Sequence, residues 1–298
     1  MLASGLAAPK RAVKLPRGTT KSVGRLSHGL LSRLLGVLPV IIAFSAVKQV
    51  MHQVRCKNTG VVSLEYQDEA LKQLHAQLPA AIKASGCGKR VKLWGVDLRG
   101  GSHPLTPEED GLLRQFLRAR EWDVEKTRTM IEETLRWRRA FGVERLRPEQ
   151  FKDFPADEVQ SRPDANGHTV ITLRLGAVAL SAFNDRAKYL RWRLCMQEMG
   201  LRSLALGRGD RRPGYVYVLD CAGLKGYHVG RAARSCAMEL AKLLMDFYPD
   251  YLTQTHIVNA PSFVAPAWRL FRAFLPSAFC NAVRVIEDGK ENKNGFGS

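Results

Sequence analysis

Acidic residues are missing from the first part of this 298-residue chain. Residues 1–64 hold ten Lys or Arg and no Asp or Glu, and the first acidic residue is Glu65. This basic leader carries ten of the +18 formal charges, and the rest of the chain carries +8. Such a distribution indicates an anionic membrane surface or an import pathway. We expect no nucleic-acid partner, because the basic residues also lack interleaved aromatic side chains on which bases could stack.

Paired cysteines and long apolar runs are also scarce. The six cysteines are scattered without a CxxC pair, which is typical of free thiols in a reducing compartment. An uncharged run at residues 34–47 is interrupted by Pro39. As a helix it would span roughly 21 Å, less than a bilayer core of about 30 Å. We interpret it first as an organelle-targeting or membrane-surface segment and second as a signal-anchor, and the sequence alone leaves a membrane anchor open.

Signatures of catalysis and of metal binding are absent from the sequence. It contains no G-x-S-x-G elbow, no Cys–His family signature and no paired-carboxylate motif. The glycines at Gly86 and Gly88 lack the further Gly and the Ser or Thr that a phosphate loop requires. The seven histidines have no His or Cys partner at ligand spacing. We therefore expect no enzymatic activity, no catalytic residue, no metal site and no cofactor.

Clear helix boundaries follow the leader. A first helix is predicted over Glu65–Lys83. Thr106, followed by Pro and then by Glu109, predicts a helix start with a reciprocal capping box. Asp123 predicts the cap of the next helix and Gly142 its end. These signals predict a compact helical pair.

Predicted strands and helices alternate in the second half. Ile171, Leu173 and Leu175 fall on one face of a first strand. The later elements are a helix from Asn184 or Asp185 to about Leu206, the strand "GYVYVLD", an amphipathic helix over Val229–Phe247, the strand "THIVNA", an apolar helix over Phe263–Leu275 and the strand "AVRVI". This order predicts an α/β fold with a largely parallel sheet.

Four segments follow one another in the chain: "LLRQFLRAREWDVEKT", "DANGHTVITLRLGAV", "YVYVLDCAGLKG" and "FYPDYLTQTHIVNAPSFVAPAWRLFRAFLP". In this order they resemble the CRAL-TRIO lipid-binding family, whose members include phosphatidylinositol transfer proteins. The resemblance covers roughly residues 70–288. It implies an N-terminal helical pair and a largely parallel β-sheet with helices, enclosing a hydrophobic lipid pocket that a gate helix closes.

The resemblance assigns the gate to the apolar helix. Its candidate residues are Phe263, Trp268, Arg269, Phe271, Arg272 and Phe274. A helix that is apolar on nearly every side can be covered by ligand on one side and by bilayer on the other. Its arginines would then meet lipid phosphates. The alternative is a core helix whose two arginines extend to the surface.

The resemblance also implies headgroup residues. Arg120 stands where phosphatidylinositol-binding members place an arginine on the inositol phosphate, and a guanidinium suits that partner. The alternative is a helix-terminal arginine favoured by the helix dipole. Asp250 matches a position at which those members carry a glutamate that contacts the inositol ring, and an exposed turn aspartate is the alternative.

Four residues are predicted to line the pocket: Tyr215, Tyr217, Leu219 and Ile257. Tyr215 and Tyr217 alternate along one strand and so share a face. By resemblance they replace the Ser and Thr with which choline-lipid-binding members hold the headgroup. This replacement argues against phosphatidylcholine and is compatible with another lipid. Two tyrosines that simply pack beneath helices would show the same alternation.

These observations lead to a domain plan and a function. We expect a basic leader at 1–64, a helical subdomain at 65–148, a C-terminally short lipid-binding α/β domain at 149–288 and a polar tail at 289–298. The resemblance implies binding of a hydrophobic lipid, with phosphatidylinositol or a related phospholipid favoured, and its transfer or presentation between membranes. The expected partners are this lipid and an anionic membrane surface, and the oligomeric state is open. A docking module of the same fold that transfers nothing is the alternative. The expected location is cytoplasmic and peripheral to membranes, or an organelle reached through residues 1–64.

Overall fold

The computed structural model describes residues 62–88, 91–155, 158–159, 168–204, 214–249, 251–262, 264, 268 and 283–287. Residues 1–61 of the leader, Asp250, most of the predicted gate helix and the predicted polar tail lie outside these ranges. None of the helices within them is long and apolar enough to cross a bilayer.

Three helices form the N-terminal region: α1 (Leu64–Ala84), α2 (Pro107–Ala119) and α3 (Val124–Phe141). The predicted cap at Asp123 and the predicted helix end at Gly142 are confirmed. Asp123 accepts a hydrogen bond from the Lys126 amide at 2.9 Å, and Gly142 ends α3 with a φ of 74°. Such a left-handed residue suits glycine, which has no Cβ to clash with the backbone.

The capping box at the start of α2 is only half formed. The Thr106 hydroxyl accepts from the Glu109 amide at 3.2 Å, as predicted. The Glu109 carboxylate instead accepts from the amides of Arg99 and Gly100, at 2.9 and 3.1 Å. Glu109 is 1% exposed, so its carboxylate holds the preceding loop against α2 rather than closing the helix end.

A short hairpin, which the sequence analysis missed, precedes α2. It joins β1 (Val91–Leu93) to antiparallel β2 (Val96–Leu98). Its two turn residues, Trp94 and Gly95, both have positive φ, 48° and 93°. Tight two-residue hairpin turns require this conformation. The turn buries the Trp94 ring, whose centroid lies 6.2 Å from Phe116 and 5.7 Å from Tyr248.

The second half is built on a five-stranded sheet, in the order β3 (Glu158–Val159), β4 (Thr169–Arg174), β5 (Tyr215–Asp220), β6 (Leu252–Ala260) and β7 (Val283–Glu287). β3 is antiparallel to β4, and the other neighbours pair in parallel. The helices α4 (Arg186–Arg202) and α5 (Arg231–Phe247) connect consecutive parallel strands. The prediction of a largely parallel α/β sheet is therefore confirmed.

Three predicted boundaries differ from the structure. Leu175 does not continue the first strand, because β4 ends at Arg174 and a 3-10 turn begins at Leu175. α4 ends at Arg202, where the Ser203 amide caps it, before the predicted end near Leu206. Val229 lies in a 3-10 turn ahead of α5. At each of these boundaries the apolar pattern of the sequence extends beyond the end of the helix or strand.

One face of the sheet, here called the inner face, is buried beneath α4. Strand register places on it Thr169, Ile171, Leu173, Tyr215, Tyr217, Leu219, Thr255, Ile257 and Val283, all of them buried. α4 approaches so closely that a Cβ on Gly200 would lie 2.4 Å from Ile171 Cδ1. Eleven of the 17 residues of α4 are buried. The helix is therefore enclosed between the sheet and the N-terminal region.

Candidate functional site

The four predicted pocket residues come together on the inner face. The rings of Tyr215 and Tyr217 lie 5.1 Å apart, centroid to centroid, and Leu219 pairs in register with Ile257 on the neighbouring strand. All four residues are buried, and both Leu219 and Ile257 are 0% exposed. Burying an apolar side chain of this size contributes roughly 1.5 to 3 kcal/mol. This face therefore combines two aromatic hydroxyl groups with an apolar floor.

Tyr217 lies directly beneath α4. Its hydroxyl donates a hydrogen bond to Gln197 Oε1. The contact agrees with the reading in which the two tyrosines pack beneath a helix. It also places a hydroxyl and an amide at the centre of the inner face.

Three further polar residues of this region escaped the sequence analysis: Arg193, Gln197 and Thr255. Arg193 and Gln197 are four residues apart and so share the face of α4 that meets the sheet. Thr255 is the register partner of Tyr217 on β6. All three are at most 3% exposed. The signal was present in "RWRLCMQEMG", where charged and amide side chains interrupt a helix that has apolar residues on every side.

Gln197 and Thr255 each keep a hydrogen-bonding atom unused. Gln197 Nε2 and Thr255 Oγ1 are buried and have no hydrogen-bond partner. A buried polar atom without a partner costs about 1 to 3 kcal/mol. Native proteins rarely accept this cost without a ligand, a bound water or a functional reason.

Arg120 lies on another part of the molecule. It caps α2, and its Nη1 donates to the Ala119 carbonyl at 3.0 Å. It borders a surface cavity of about 610 Å³, lined also by Glu121, Glu125, Lys126, Thr129, Met130 and Glu133. The cavity thus combines three carboxylates with two basic groups. Asp250, its predicted partner, is outside the described residues, so the two are not seen together.

Only two residues of the predicted gate helix are described. Val264 and Trp268 are both helical, and they are 1% and 6% exposed. Their four-residue spacing puts them on one face of a helix, which is therefore an inward face. Phe263, Arg269, Phe271, Arg272 and Phe274 lie outside the part of the chain that the structure describes.

A buried ion pair joins α4 to the N-terminal region. Arg138 on α3 contacts Glu198 through two parallel hydrogen bonds, 2.6 Å for Nη1–Oε1 and 2.9 Å for Nη2–Oε2. Trp94 Nε1 and the Tyr248 hydroxyl donate to the same carboxylate, at 3.1 and 2.8 Å. Glu144 also contacts the Arg138 guanidinium. The carboxylate of Glu198 is thus fully used within the fold.

The electrostatics of this cluster agree with its geometry. Burial disfavours the charged guanidinium, but the hydrogen bonds and the charge of Glu198 outweigh burial and raise the pKa of Arg138. Burial, reinforced by the adjacent carboxylate, raises the pKa of Tyr248 well above its usual value. Arg138 is therefore a permanent cation and Tyr248 a permanent donor. The cluster is structural support for α4.

The carboxyl end of β5 forms a tight turn. Asp220 Oδ1 accepts from the Ala222 amide at 2.9 Å and from Asn259 Nδ2 at 2.8 Å. A Cβ on Gly176 would lie 1.8 Å from the Ala222 carbonyl oxygen, so only glycine fits there. These contacts tie the ends of three strands together and carry no evident chemistry.

Comparison with known proteins identifies two adjoining domain types. The sequence model of the CRAL/TRIO, N-terminal domain matches residues 70–133, and that of the CRAL/TRIO domain matches residues 158–294.

Among curated relatives, the SEC14 cytosolic factor of Kluyveromyces lactis is 28% identical over 202 residues, which cover 60% of this chain and 63% of that protein. The phosphatidylinositol transfer protein SFH5 of the same yeast is 25% identical over 219 residues, covering 68% and 73%. Patellin-1 of Arabidopsis thaliana is 25% identical over 253 residues, covering 82% of this chain but only 43% of the relative. The chain thus spans less than two thirds of the length of Patellin-1 and of the SEC14 factor.

A solved structure supports the same fold. The crystal structure of Sfh5 superposes with a TM-score of 0.63 at 18% identity, covering 77% of this chain and 83% of that one. The described helices and sheet therefore have a known architectural counterpart.

Proposed function

This chain belongs to the CRAL-TRIO family, and we propose that it binds a phospholipid inside the fold and transfers or presents it between membranes. Phosphatidylinositol or a related phospholipid is the favoured ligand. The relatives named as phosphatidylinositol transfer proteins support lipid binding at the level of the family. The identity of the bound lipid is part of the proposal.

The inner face of the sheet is the observation that carries the proposal. It presents an apolar floor at Leu219 and Ile257 together with buried hydrogen-bonding atoms that the fold does not use. A core that served packing alone would gain stability by replacing these polar atoms with apolar ones. An amphiphile with an apolar chain and a polar end fits both kinds of surface.

The connection between β6 and β7 supplies the gate in this proposal. Parallel strands in one sheet are joined by right-handed crossovers, and consecutive strand order then places successive crossovers on one side. Val264 and Trp268, the described helical residues of this connection, would accordingly lie on the side of α4. The burial of Val264 and Trp268 supports this placement. Opening would expose an apolar surface that a bilayer covers.

Arg120 remains the candidate, by resemblance, for contact with the headgroup. Among the described residues that line the cavity, its guanidinium is one of two basic groups beside three carboxylates. Replacing Arg120 by Ala is expected to weaken phosphatidylinositol binding several-fold and to change the free energy of unfolding by less than about 1 kcal/mol, because the side chain is not part of the core. Lys126→Ala, which removes the other base of the cavity, is the matched control.

Lipid extraction from the purified full-length chain, followed by mass spectrometry, tests the proposal. One bound phospholipid per protein, together with transfer of labelled phosphatidylinositol between vesicles, is the expected result. A folded protein that co-purifies with no lipid and transfers none would contradict it and favour the docking module.

The basic leader is proposed to direct the protein to its membrane. Ten positive charges without an acid favour an anionic surface at about 1 kcal/mol for each residue close to it. A fluorescent fusion of residues 1–64 should label a membrane or an organelle. A diffuse signal would exclude a targeting role for the leader, although peripheral binding through the gate would stand.

A further inference from the structure

Two buried hydrogen-bond donors on the inner face point to a ligand that no comparison assigns. Gln197 and Thr255 are each 1% exposed, and Gln197 Nε2 and Thr255 Oγ1 have no partner. They come from different elements, a helix and a strand. Two independent elements therefore direct unused polar atoms into the same layer between α4 and the sheet.

Tyr217 connects the two positions. Its hydroxyl donates to Gln197 Oε1, which fixes the amide so that Nε2 is the end without a partner. Thr255 stands beside Tyr217 in register on β6, with its side chain on the same face of the sheet. The Gln197 side chain thus lies at the Tyr217 hydroxyl, and Thr255 lies beside the backbone of Tyr217 on the neighbouring strand.

The chemistry of these atoms selects the group they would bind. An amide NH₂ donates and cannot accept, and a hydroxyl can donate. Arg193, one helical turn before Gln197 on the same face of α4, adds a buried positive charge to this layer. Donors beside a cation favour an acceptor oxygen and disfavour a quaternary ammonium group such as choline.

We propose that Gln197 Nε2 and the Thr255 hydroxyl donate hydrogen bonds to acceptor oxygens of the bound glycerophospholipid, and so act as specificity-determining residues. Two kinds of oxygen share this chemistry, the ester carbonyls of the glycerol backbone and the phosphate. The inference rests on the proposed lipid binding and extends it, because the resemblance assigns a role to neither residue. These donors also argue against phosphatidylcholine, because they favour acceptor oxygens over the choline group.

Paired valine substitutions test the strand residue. Thr255→Val keeps the shape of the side chain and removes the donor. The affinity of the full-length chain for phosphatidylinositol should fall about three- to tenfold, the effect of one lost hydrogen bond. The stability of the lipid-free protein should stay equal or rise, since an unpaired polar atom is removed. Thr255→Ser, which retains the hydroxyl, should bind as the unmodified chain does.

Thr253→Val is the matched control on the same strand. Its hydroxyl already donates to the Tyr215 carbonyl at 3.0 Å. The substitution should lower stability and leave lipid affinity unchanged, the reverse of Thr255→Val. Gln197→Leu tests the helix residue and should weaken lipid binding about three- to tenfold, as Thr255→Val does. Unlike Thr255→Val, it should also lower the stability of the lipid-free protein, because it removes the oxygen that accepts from the Tyr217 hydroxyl.

Diester phosphatidylinositol and its diether analogue separate the two oxygen sources, because ether oxygens are poor acceptors. A preference for the diester that Thr255→Val or Gln197→Leu abolishes would assign the donors to the carbonyls. Equal binding of both lipids, weakened equally by the variants, would assign them to the phosphate.

Variants that bind both lipids like the unmodified chain would overturn the inference and leave the proposed function intact; the unused atoms would then hold water. Failure of the unmodified chain to bind either lipid would overturn both.

Discussion

The ion pair between Arg138 and Glu198 allows a quantitative test of what holds α4 in place. Arg138 is 4% exposed and its partner 2%. Glu198→Gln keeps an oxygen that can accept from Trp94 and Tyr248 but removes the negative charge. An arginine that loses a buried partner typically costs 3 to 5 kcal/mol. We expect about 3 kcal/mol, because Glu144 still contacts the guanidinium from the surface.

Glu144→Gln is the matched control, since both carboxylates contact Arg138. The side chain of Glu144 is 58% exposed, against 3% for Glu198. Exposed ion pairs contribute at most about 1 kcal/mol, so the control should lose less than that. The free energy of unfolding in urea measures both variants. Losses of similar size, within about 1 kcal/mol, would show that burial of the pair does not determine its contribution.

A double variant that removes both charges of the pair tests whether Arg138 and Glu198 stabilise the fold together. Replacing a whole buried pair by uncharged residues is often neutral, because the desolvation of both ions is avoided. Glu198→Gln combined with Arg138→Met should therefore lose less stability than the two single losses added, by about 1 to 3 kcal/mol. Strict additivity would mean that the two side chains act separately.

Three further outcomes follow from local contacts. The hydrogen bond and charge of Lys126 lower the pKa of Asp123, so the ionised Asp123 stabilises the fold above its unfolded pKa near 3.8, and this contribution is lost as the pH falls through the lower folded pKa. Asp123→Asn should therefore make stability depend less on pH in the acidic range. Asp123→Ala should cost about 1 kcal/mol at neutral pH by removing the helix cap. Gly176→Ala should lower the melting temperature strongly, because its Cβ would lie 1.8 Å from the Ala222 carbonyl oxygen, and an unchanged temperature would show that the turn shifts freely. Burial, with a smaller effect of the nearby aspartate charge, raises the pKa of the Cys221 thiol to about 12; mass spectrometry should find it unalkylated at pH 8 until denaturant is added.

Local signals predicted the described elements well where one residue decides a boundary. Thr106, Asp123 and Gly142 each determine a backbone conformation through a contact within four residues of themselves, so no tertiary information was needed. The hairpin at Trp94 was missed because its turn lacks the usual Asn-Gly or Asp-Gly pair. Burial of the Trp94 ring against Phe116 and Tyr248 stabilises this turn, and the contact with Tyr248 joins residues more than a hundred positions apart in the chain.

The candidate site shows the same division between local and distant information. Alternation along β5 was sufficient to place Tyr215 and Tyr217 together on one face. It could not reveal that Gln197 approaches this face, because the pairing of helix and sheet is not encoded in either segment alone. The roles of Arg120 and Asp250 still rest on resemblance, and only their motif positions support them.

The neighbours Gln197 and Glu198 explain why α4 has so little amphipathic character. Consecutive residues of a helix point about 100° apart, so one faces the sheet and the next faces the N-terminal region. Glu198 has its hydrogen-bonding oxygens filled by Arg138, Trp94 and Tyr248, whereas Gln197 keeps one donor unused. Stability and ligand selectivity should therefore separate at adjacent positions. Glu198→Gln should alter unfolding far more than the preference among lipids. Gln197→Leu should alter that preference and should also lower stability, because it removes the oxygen that accepts from the Tyr217 hydroxyl. A helix supported on one side by an ion pair can present unsatisfied atoms on the other.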